Sequence, residues 1–336
     1  MQKHNIWLLL DSSKSGGIES HVQQLSEGLT SHGEQVEVVF MTDYGHHPLR
    51  DRLDTLGIRH TSLDGTFSTL YKTIKQQQPM VVHTHGYKAG ILGRFAARLN
   101  RIACISTYHA GEIATGKLGF YDWLDRFTAC LSNKNFAVSP QIATRLPGQV
   151  ALFDNFVNTD HLSDATGEQI AFVGRVSEEK GPDYFKALAS LLPNLDFHLY
   201  GEGPQLPELQ KQCPKNLILH GQQDDMSLVW SNIGLLVLPS RFEGLPMAAL
   251  EAMARGIPVL AFNVGALNKL IDHGFNGWLI EPGNMDLLTK QVSAWSTFSE
   301  QHKQCLQSAC KSTIKKQFSS CVAIPKLIAD YQQVVK

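Results

Sequence analysis

Long apolar runs are absent from this 336-residue chain. Its first hydrophobic stretch, Ile6 to Leu10, falls far short of the about 20 residues that a membrane-spanning helix needs, and no other segment meets that length. The expectation is a protein that is soluble or peripheral to a membrane. The N-terminus shows no cationic stretch leading into an apolar core and a cleavage site, which counts against a periplasmic binding protein and points to the cytoplasm. Cysteines are few: Cys104, Cys130, Cys213, Cys305, Cys310 and Cys321 stand apart with no CxxC pair, as reduced thiols would. Charge of one sign is lacking too. With 30 Lys and Arg against 31 Asp and Glu, and no long basic run, nothing suits a polyanion, so nucleic acid is not the expected partner.

What the chain does contain is a repeated alternation of short apolar runs with helical patterns. Runs at 6–10, 36–41, 80–82, 103–107 and 136–138 are followed by others at 170–173, 197–200, 217–219, 235–238 and 259–262. This pattern predicts α/β architecture, with parallel sheets covered by helices on both faces. The first helix carries Ile18, Val22, Leu25 and Leu29 on one stripe and Gly33 at its end. A single core stops growing at about 250 residues, so two domains are expected. Periodicity lapses between Phe153 and Gly167, which places the hinge there. The expected division is 1–160, 161–318, and a final amphipathic helix over 319–336 that crosses back to the first domain. That helix carries Ile324, Leu327, Ile328, Tyr331 and Val335.

Ligands of open parallel sheets sit at the carboxyl ends of strands, so the loops after these runs are where chemistry is sought. The most informative begins at Leu238-Pro-Ser-Arg-Phe-Glu-Gly-Leu-Pro and continues through Met247-Ala-Ala-Leu-Glu-Ala-Met-Ala-Arg-Gly-Ile-Pro-Val. A helix is predicted to open near Pro246, proline being tolerated at a first helical position. Its free N–H groups, reached through Gly244 and Leu245, suit a diphosphate without a metal. Glu243 lies just outside that helix and Glu251 within it, so two carboxylates project along one ligand. Upstream, Val173-Gly-Arg-Val-Ser-Glu-Glu-Lys-Gly follows another strand and sets Arg175 and Lys180 at the mouth of the second domain. Arg175 can fork onto phosphate oxygens, and Lys180 supplies a compact charge.

The Glu-x7-Glu segment, with Ser240-Arg-Phe-Glu-Gly-Leu-Pro and Glu251-Ala-Met-Ala-Arg-Gly-Ile-Pro-Val, resembles family 4 of the retaining glycosyltransferases (group 1). The resemblance extends over nearly the whole chain. It implies a GT-B fold, two Rossmann-like domains facing a central cleft. It also implies a nucleotide-diphosphate sugar donor, with Glu251 on the donor ribose and Glu243 on the sugar hydroxyls. Gly-Arg and Lys-Gly elements of that family match Arg175 and Lys180, implying a phosphate role. Tyr200-Gly-Glu-Gly-Pro resembles its Gly-x-Gly-Pro turn, which puts the nucleobase near Gly201 and Glu202 and near His220-Gly-Gln. The chain departs from the pattern at Val264-Gly-Ala-Leu-Asn268, where an amide replaces the family's carboxylate.

On the N-terminal side, Asp11-Ser-Ser-Lys-Ser-Gly-Gly-Ile-Glu lacks GxGxxG spacing, which excludes a dehydrogenase-type dinucleotide loop. Gly16 and Gly17 are expected to permit a tight turn that a ligand can approach, and the resemblance implies donor phosphate contact there. His83, His85 and His109 sit at predicted strand ends. They come from separate strand ends with no HxxxH spacing, and no metal is expected. A histidine matching His109 lies near the reacting sugar in the family, where a neutral imidazole can hydrogen-bond a hydroxyl or the leaving group. The aromatic segment Leu118 to Phe127 reads as helical, with core or interdomain packing as its first explanation and a lipid-linked acceptor as its second. Double displacement would need a carboxylate nucleophile; the N-terminal loops offer Asp11, Glu19 and Glu112, none of them marked as one.

The expectation is therefore a retaining, metal-independent glycosyltransferase with no cofactor, Glu243 and His109 acting at the reacting sugar. Its expected acceptor is a glycan or lipid-linked molecule of cell-surface polysaccharide or lipopolysaccharide synthesis, with peripheral membrane contact at the inner face. A GT-B epimerase or phosphorylase and a non-catalytic sugar-nucleotide-binding subunit are the alternatives.

Overall fold

The ten apolar runs all lie in strands of two parallel sheets, in a computed structural model that describes residues 5–13, 16–109, 116–160, 162–223 and 225–335, apart from the side chain of Lys117. The first sheet comprises β1 (Asn5–Leu10), β2 (Gln35–Phe40), β3 (Arg59–Ser62), β4 (Val81–His85), β5 (Ala103–Tyr108), β6 (Lys134–Ala137) and β7 (Ala151–Leu152). The second comprises β8 (Gln169–Val173), β9 (Phe197–Tyr200), β10 (Leu217–Gly221), β11 (Ile233–Leu238), β12 (Val259–Phe262) and β13 (Gly277–Ile280). Two compact units contain them: Met1–Asn158 together with Ser320–Lys336, and Thr159–Ser319.

Strand order is β3-β2-β1-β4-β5-β6-β7 in the first sheet and β10-β9-β8-β11-β12-β13 in the second. Each sheet is therefore built outward in two directions from its first strand: β1 lies between β2 and β4, and β8 between β9 and β11. At such a reversal the flanking crossovers go to opposite faces and leave a crevice at the carboxyl ends. Asp11–Ser13 and Gly16–Gly17 lie at the first of these points, and the loops carrying Gly174 to Gly181 and Pro239 to Pro246 open at the second.

Alternation along β1 fixes the layering of the first unit. Ile6, Leu8 and Leu10 point to one face, against Val22, Leu25 and Leu29 of the helix Gly17–Ser31. Trp7 and Leu9 point to the other, against Leu70, Ile74, Ala96 and Ala97. The final helix, Ser320–Val335, joins the first of these layers, with Ile324, Leu327 and Tyr331 fully buried. It lies so close to the helix Gly17–Ser31 that a Cβ added at Gly28 would meet Ile324 Cγ1 at 2.8 Å. Val335, expected on the apolar stripe, is exposed.

Three strands escape the sequence pattern. β3 reads Arg-His-Thr-Ser and lies at a sheet edge, β7 has two residues, and β13 is an edge strand of four. Pro246 caps its helix, Met247–Ala254, from outside rather than occupying the first turn. The aromatic segment does form a helix, Gly116–Phe127, but core packing does not explain it: Phe120, Trp123 and Phe127 are 58%, 52% and 65% exposed.

Because Ile324 fills the layer between the last helix and the first, Ile324→Ala should destabilise the first unit by about 2–5 kcal/mol. Denaturant unfolding followed by Trp7 fluorescence should show the midpoint of that unit moving to lower concentration.

Candidate functional site

In the second unit, the loops after β8, β9, β10 and β11 are laced together by backbone hydrogen bonds. Gly174 N–H donates to Tyr200 O (3.0 Å), Val176 N–H to Glu202 O (2.8 Å) and Gly201 N–H to Gly221 O (2.8 Å). Arg241 N–H and Phe242 N–H both donate to Glu179 O, at 2.8 and 3.2 Å. Glycine is required where these loops touch. A Cβ at Gly201 (φ +142°) would lie 1.9 Å from Gly174 O, and one at Gly181 (φ +65°) would lie 2.1 Å from Pro239 O. Sequence motifs up to about 65 residues apart thus become one rigid rim.

Lys180 and Glu243 meet on that rim. Lys180 Nζ donates to both carboxylate oxygens of Glu243, at 2.9 and 2.7 Å, and Ser240 Oγ donates to Glu243 Oε1 at 2.8 Å. The Glu243 side chain is only 4% exposed, so its charge depends on that cation and hydroxyl. The sequence reading gave Lys180 to phosphate and Glu243 to sugar as separate groups; in the structure each is the other's partner. A second pair holds the same loops: Arg241 forks onto Asp183 at 2.8 and 2.6 Å and lies over the Tyr184 ring. Neither Asp183, Arg241 nor Ser240 was singled out from sequence, although a bidentate Arg pair bridging residues 58 apart leaves no local signal.

The other predicted residues surround this pair. Arg175 is exposed, and no side-chain partner holds it among the described residues. Gly201 and Glu202 form the turn after β9, Glu202 being exposed. Gly244, Leu245 and Pro246 lead into the helix Met247–Ala254, whose N-terminus no side chain caps. Glu251 is half-buried in the second turn of that helix. Gly265 (φ +63°) packs so tightly under the loop that a Cβ would lie 2.1 Å from Glu243 O, while Ala266 N–H donates to Gly244 O at 2.9 Å. The amide of Asn268, where the family has a carboxylate, is exposed.

The first unit places its own candidates at the ends of β1, β4 and β5. Gly16 is extended (φ −170°) and Gly17 opens the helix Gly17–Ser31, and neither has a positive φ. Gly16 itself supplies no side-chain cap, but the Glu19 carboxylate accepts from the backbone N–H groups of Gly16 and Glu19, and nothing lies within 4 Å of a Cβ at Gly17. Of the three carboxylates considered as nucleophiles, Asp11 pairs with Lys88 at 3.3 Å, and Glu19 is buried, which raises its pKa. Glu112, like Lys14 and Ser15, lies outside the described residues.

His109 half-emerges into a pocket lined by Ile18, Gly86, Thr107, Tyr108 and Arg145 among others. Behind it are three more histidines, one of which, His21 on the first helix, the sequence reading passed over. His85 Nδ1 lies 3.2 Å from His109 Nε2, and the His21 and His109 rings are 4.7 Å apart. His83 turns away, bonded to Tyr331 Oη and Thr107 Oγ1 at 2.7 Å each. Ring nitrogens of His21, His85 and His109 all lie within 4.8 Å of one another, a spacing one transition-metal ion could bridge. The hydrogen bond between His85 and His109 already engages one nitrogen of each. Burial pushes these imidazoles toward neutrality: His21 down to about 4, His83 to about 3, and His85 and His109 well below the usual range.

Residues 155–312 match the family model of glycosyl transferases group 1, and residues 15–160 that of Glycosyltransferase Family 4. The chain belongs to this glycosyltransferase family. Over 257 residues it is 31% identical to the UDP-Gal:alpha-D-GlcNAc-diphosphoundecaprenol alpha-1,3-galactosyltransferase of Escherichia coli. That match covers 65% of this chain and 66% of the relative, just under two thirds of its length. The O-antigen biosynthesis glycosyltransferase WbnH of Escherichia coli is 22% identical, with 95% of this chain and 98% of that protein covered. Among solved structures, Anabaena HepE in complex with UDP-glucose superposes with a TM-score of 0.86 at 17% identity, covering 98% of this chain and 100% of HepE. These likenesses give the family member its fold, the two-domain GT-B architecture.

The neutral histidines make the first unit acid-sensitive. A histidine whose folded pKa is depressed contributes stability that is present above its unfolded value and is lost as pH falls toward the folded one. Stability of the first unit should therefore decline as pH falls below about 6.5, down to about 4 for the part carried by His21 and about 3 for that carried by His83, the lower end overlapping ordinary carboxylate titration. Denaturation midpoints between pH 7.5 and about 4.5 should show this slope, and His21→Phe should flatten it.

Proposed function

We propose that this chain is a retaining, metal-independent glycosyltransferase that moves a sugar from a nucleotide-diphosphate donor to a glycan or lipid-linked acceptor of cell-surface polysaccharide or lipopolysaccharide. The observation that carries the reading is the Lys180–Glu243 pair beside an uncapped helix N-terminus, within loops tied by four strand ends. A donor diphosphate offers Lys180 a second anion, and the helix N–H groups and the open Arg175 supply the remaining positive potential. Glu243, sharing its cation, then has lone pairs for vicinal sugar hydroxyls, and Glu251 serves the ribose. Gly201 and Glu202 line the nucleobase end of the same rim. Gly16 and Gly17 of the first unit contribute a second helix N-terminus of anion-binding character.

In the reaction, the bond from the anomeric carbon to the diphosphate oxygen breaks with its electron pair leaving on the phosphate. The acceptor oxygen bonds to that carbon on the same face, and its proton passes to the departing phosphate. Catalysis then rests on stabilising the leaving charge and on excluding water. The state of Asp11, held by Lys88, and of Glu19, buried and pushed toward its neutral form, supports this course over double displacement. His109 serves the reacting sugar from the first unit. No metal and no cofactor take part.

The relatives' names support the donor and acceptor classes: one acts from UDP-Gal on a diphosphoundecaprenol-linked sugar, another belongs to O-antigen biosynthesis. Peripheral membrane contact fits the helix Gly116–Phe127. Phe120, Trp123 and Phe127 stack along its outer face, while its acids turn inward, Asp125 to Arg94 and Asp122 to Arg126 and Arg145. An aromatic face with no outward carboxylate suits the interface of an anionic bilayer. Among the described residues no helix is long and apolar enough to cross a membrane.

Lys180→Ala and Glu243→Gln should each lower transfer by about 100-fold or more while the circular dichroism spectrum is unchanged. Wild-type turnover by both, or donor binding with no transfer by the unaltered protein, would remove this reading; inhibition by EDTA would remove its metal independence. For the membrane arm, a Trp123→Ser, Phe127→Ser double variant should lose sedimentation with phosphatidylglycerol vesicles yet retain turnover of a soluble acceptor.

A further inference from the structure

The histidines of the first unit form a chain with one end in the pocket, and their hydrogen bonds decide which nitrogen of His109 carries its proton. His83 leaves the question open, because both its partners are hydroxyls that can donate or accept. His85 does not. Its Nδ1 faces His109 Nε2 at 3.2 Å, while its own Nε2 is buried with no hydrogen-bond partner among the described residues. A neutral imidazole has one proton to place. On Nε2 that proton would be a buried N–H with no acceptor, an arrangement folded proteins rarely tolerate; on Nδ1 it is donated to His109, and only an unfilled lone pair is left behind.

The consequence passes to the next ring. His109 Nε2 must accept, and a neutral His109 then carries its proton on Nδ1. That nitrogen has no partner among the described residues, and the ring lines the pocket. We propose that His85 is a positioning residue that fixes His109 as the Nδ1–H tautomer, so that the pocket is offered a hydrogen-bond donor matched to an oxygen of a sugar or of its leaving group. The opposite tautomer would offer the pocket a base instead. His85 therefore sets the polarity of the contact without touching the ligand, a division of labour known for orienting groups behind other reactive imidazoles. The inference rests on the reading of His109 as a group that meets substrate, but its first test does not.

That test is long-range 1H–15N correlation on the full chain labelled with 15N-histidine at pH 7.5, with assignments from His109→Ala and His85→Asn. In the unaltered protein His109 Nδ1 should resonate as a protonated and Nε2 as an unprotonated nitrogen, and His85 likewise. In His85→Asn an amide N–H stands where Nδ1–H stood and should preserve that pattern at His109; His85→Leu should move both His109 nitrogens to exchange-averaged positions. In transfer assays His85→Asn should retain kcat within about threefold, whereas His85→Leu should lose roughly tenfold in kcat with little change in KM, less than the about 100-fold or more that a positioned proton donor supplies. A protonated Nε2 on His109 in the unaltered protein, or an unshifted pattern in His85→Leu, overturns the proposal even if one variant fails to fold. The expected tautomer together with full activity in His109→Ala would uphold the role of His85 and overturn that of His109.

Discussion

A carboxylate almost sealed from water, held by one lysine and one serine, is the interaction on which the second unit is organised. Burying Glu243 without a cation would cost far more than a loop contact returns, so the turn Glu178–Lys180 and the loop Pro239–Glu243 must fold against one another. Everything else at this rim enforces that juxtaposition: the missing Cβ of Gly181, the Arg241–Asp183 fork, the two N–H groups on Glu179 O. A lysine already paired with one acid carries its charge at lower cost than an unpaired lysine could be kept part-buried.

The first unit solves the converse problem by removing charge. Four imidazoles, His109 at the pocket and three behind it, are pushed toward neutrality by burial, and neutral rings can be ordered by directional hydrogen bonds instead of repelling one another. The two units thus present different chemistry on similar frames, an ion pair in one and hydrogen-bonded neutral rings in the other. Both place it at the strand reversal that their topology creates.

How much of this the sequence discloses depends on the range of the interaction. Apolar runs such as Leu235–Leu238 and helix stripes such as Ile18, Val22, Leu25 and Leu29 are local signals, and the sheets and their order of elements follow from them. The edge strand Arg59–Ser62 carries no such signal because its residues, Arg-His-Thr-Ser, are polar and only partly buried. Glu243 and Lys180 were each legible as loop residues at strand ends, but their mutual bond spans 63 positions and depends on backbone packing that only the fold supplies. His21 was invisible as a site residue because it lies on a helix among ordinary amphipathic neighbours, and the partner of His83, Tyr331, is 248 positions away. The aromatic helix misled in the other direction: aromatic content suggests burial, whereas Asp125 anchored by Arg94 rotates the rings outward.

The return of Ser320–Val335 into the first unit has a bearing on how the chain is made. Ile324, Leu327 and Tyr331 complete a layer begun by Ile6 and Val22, so the unit translated first cannot close until the unit translated second has left the ribosome. At about 5–20 residues per second that is a wait on the order of ten seconds or more, with an apolar surface on the first helix and β5 uncovered throughout. Thr159–Ser319, by contrast, is continuous in sequence. The segment that completes the first unit's layer is thus the last to be synthesised, and the interval exposes the N-terminal half to chaperones and to aggregation.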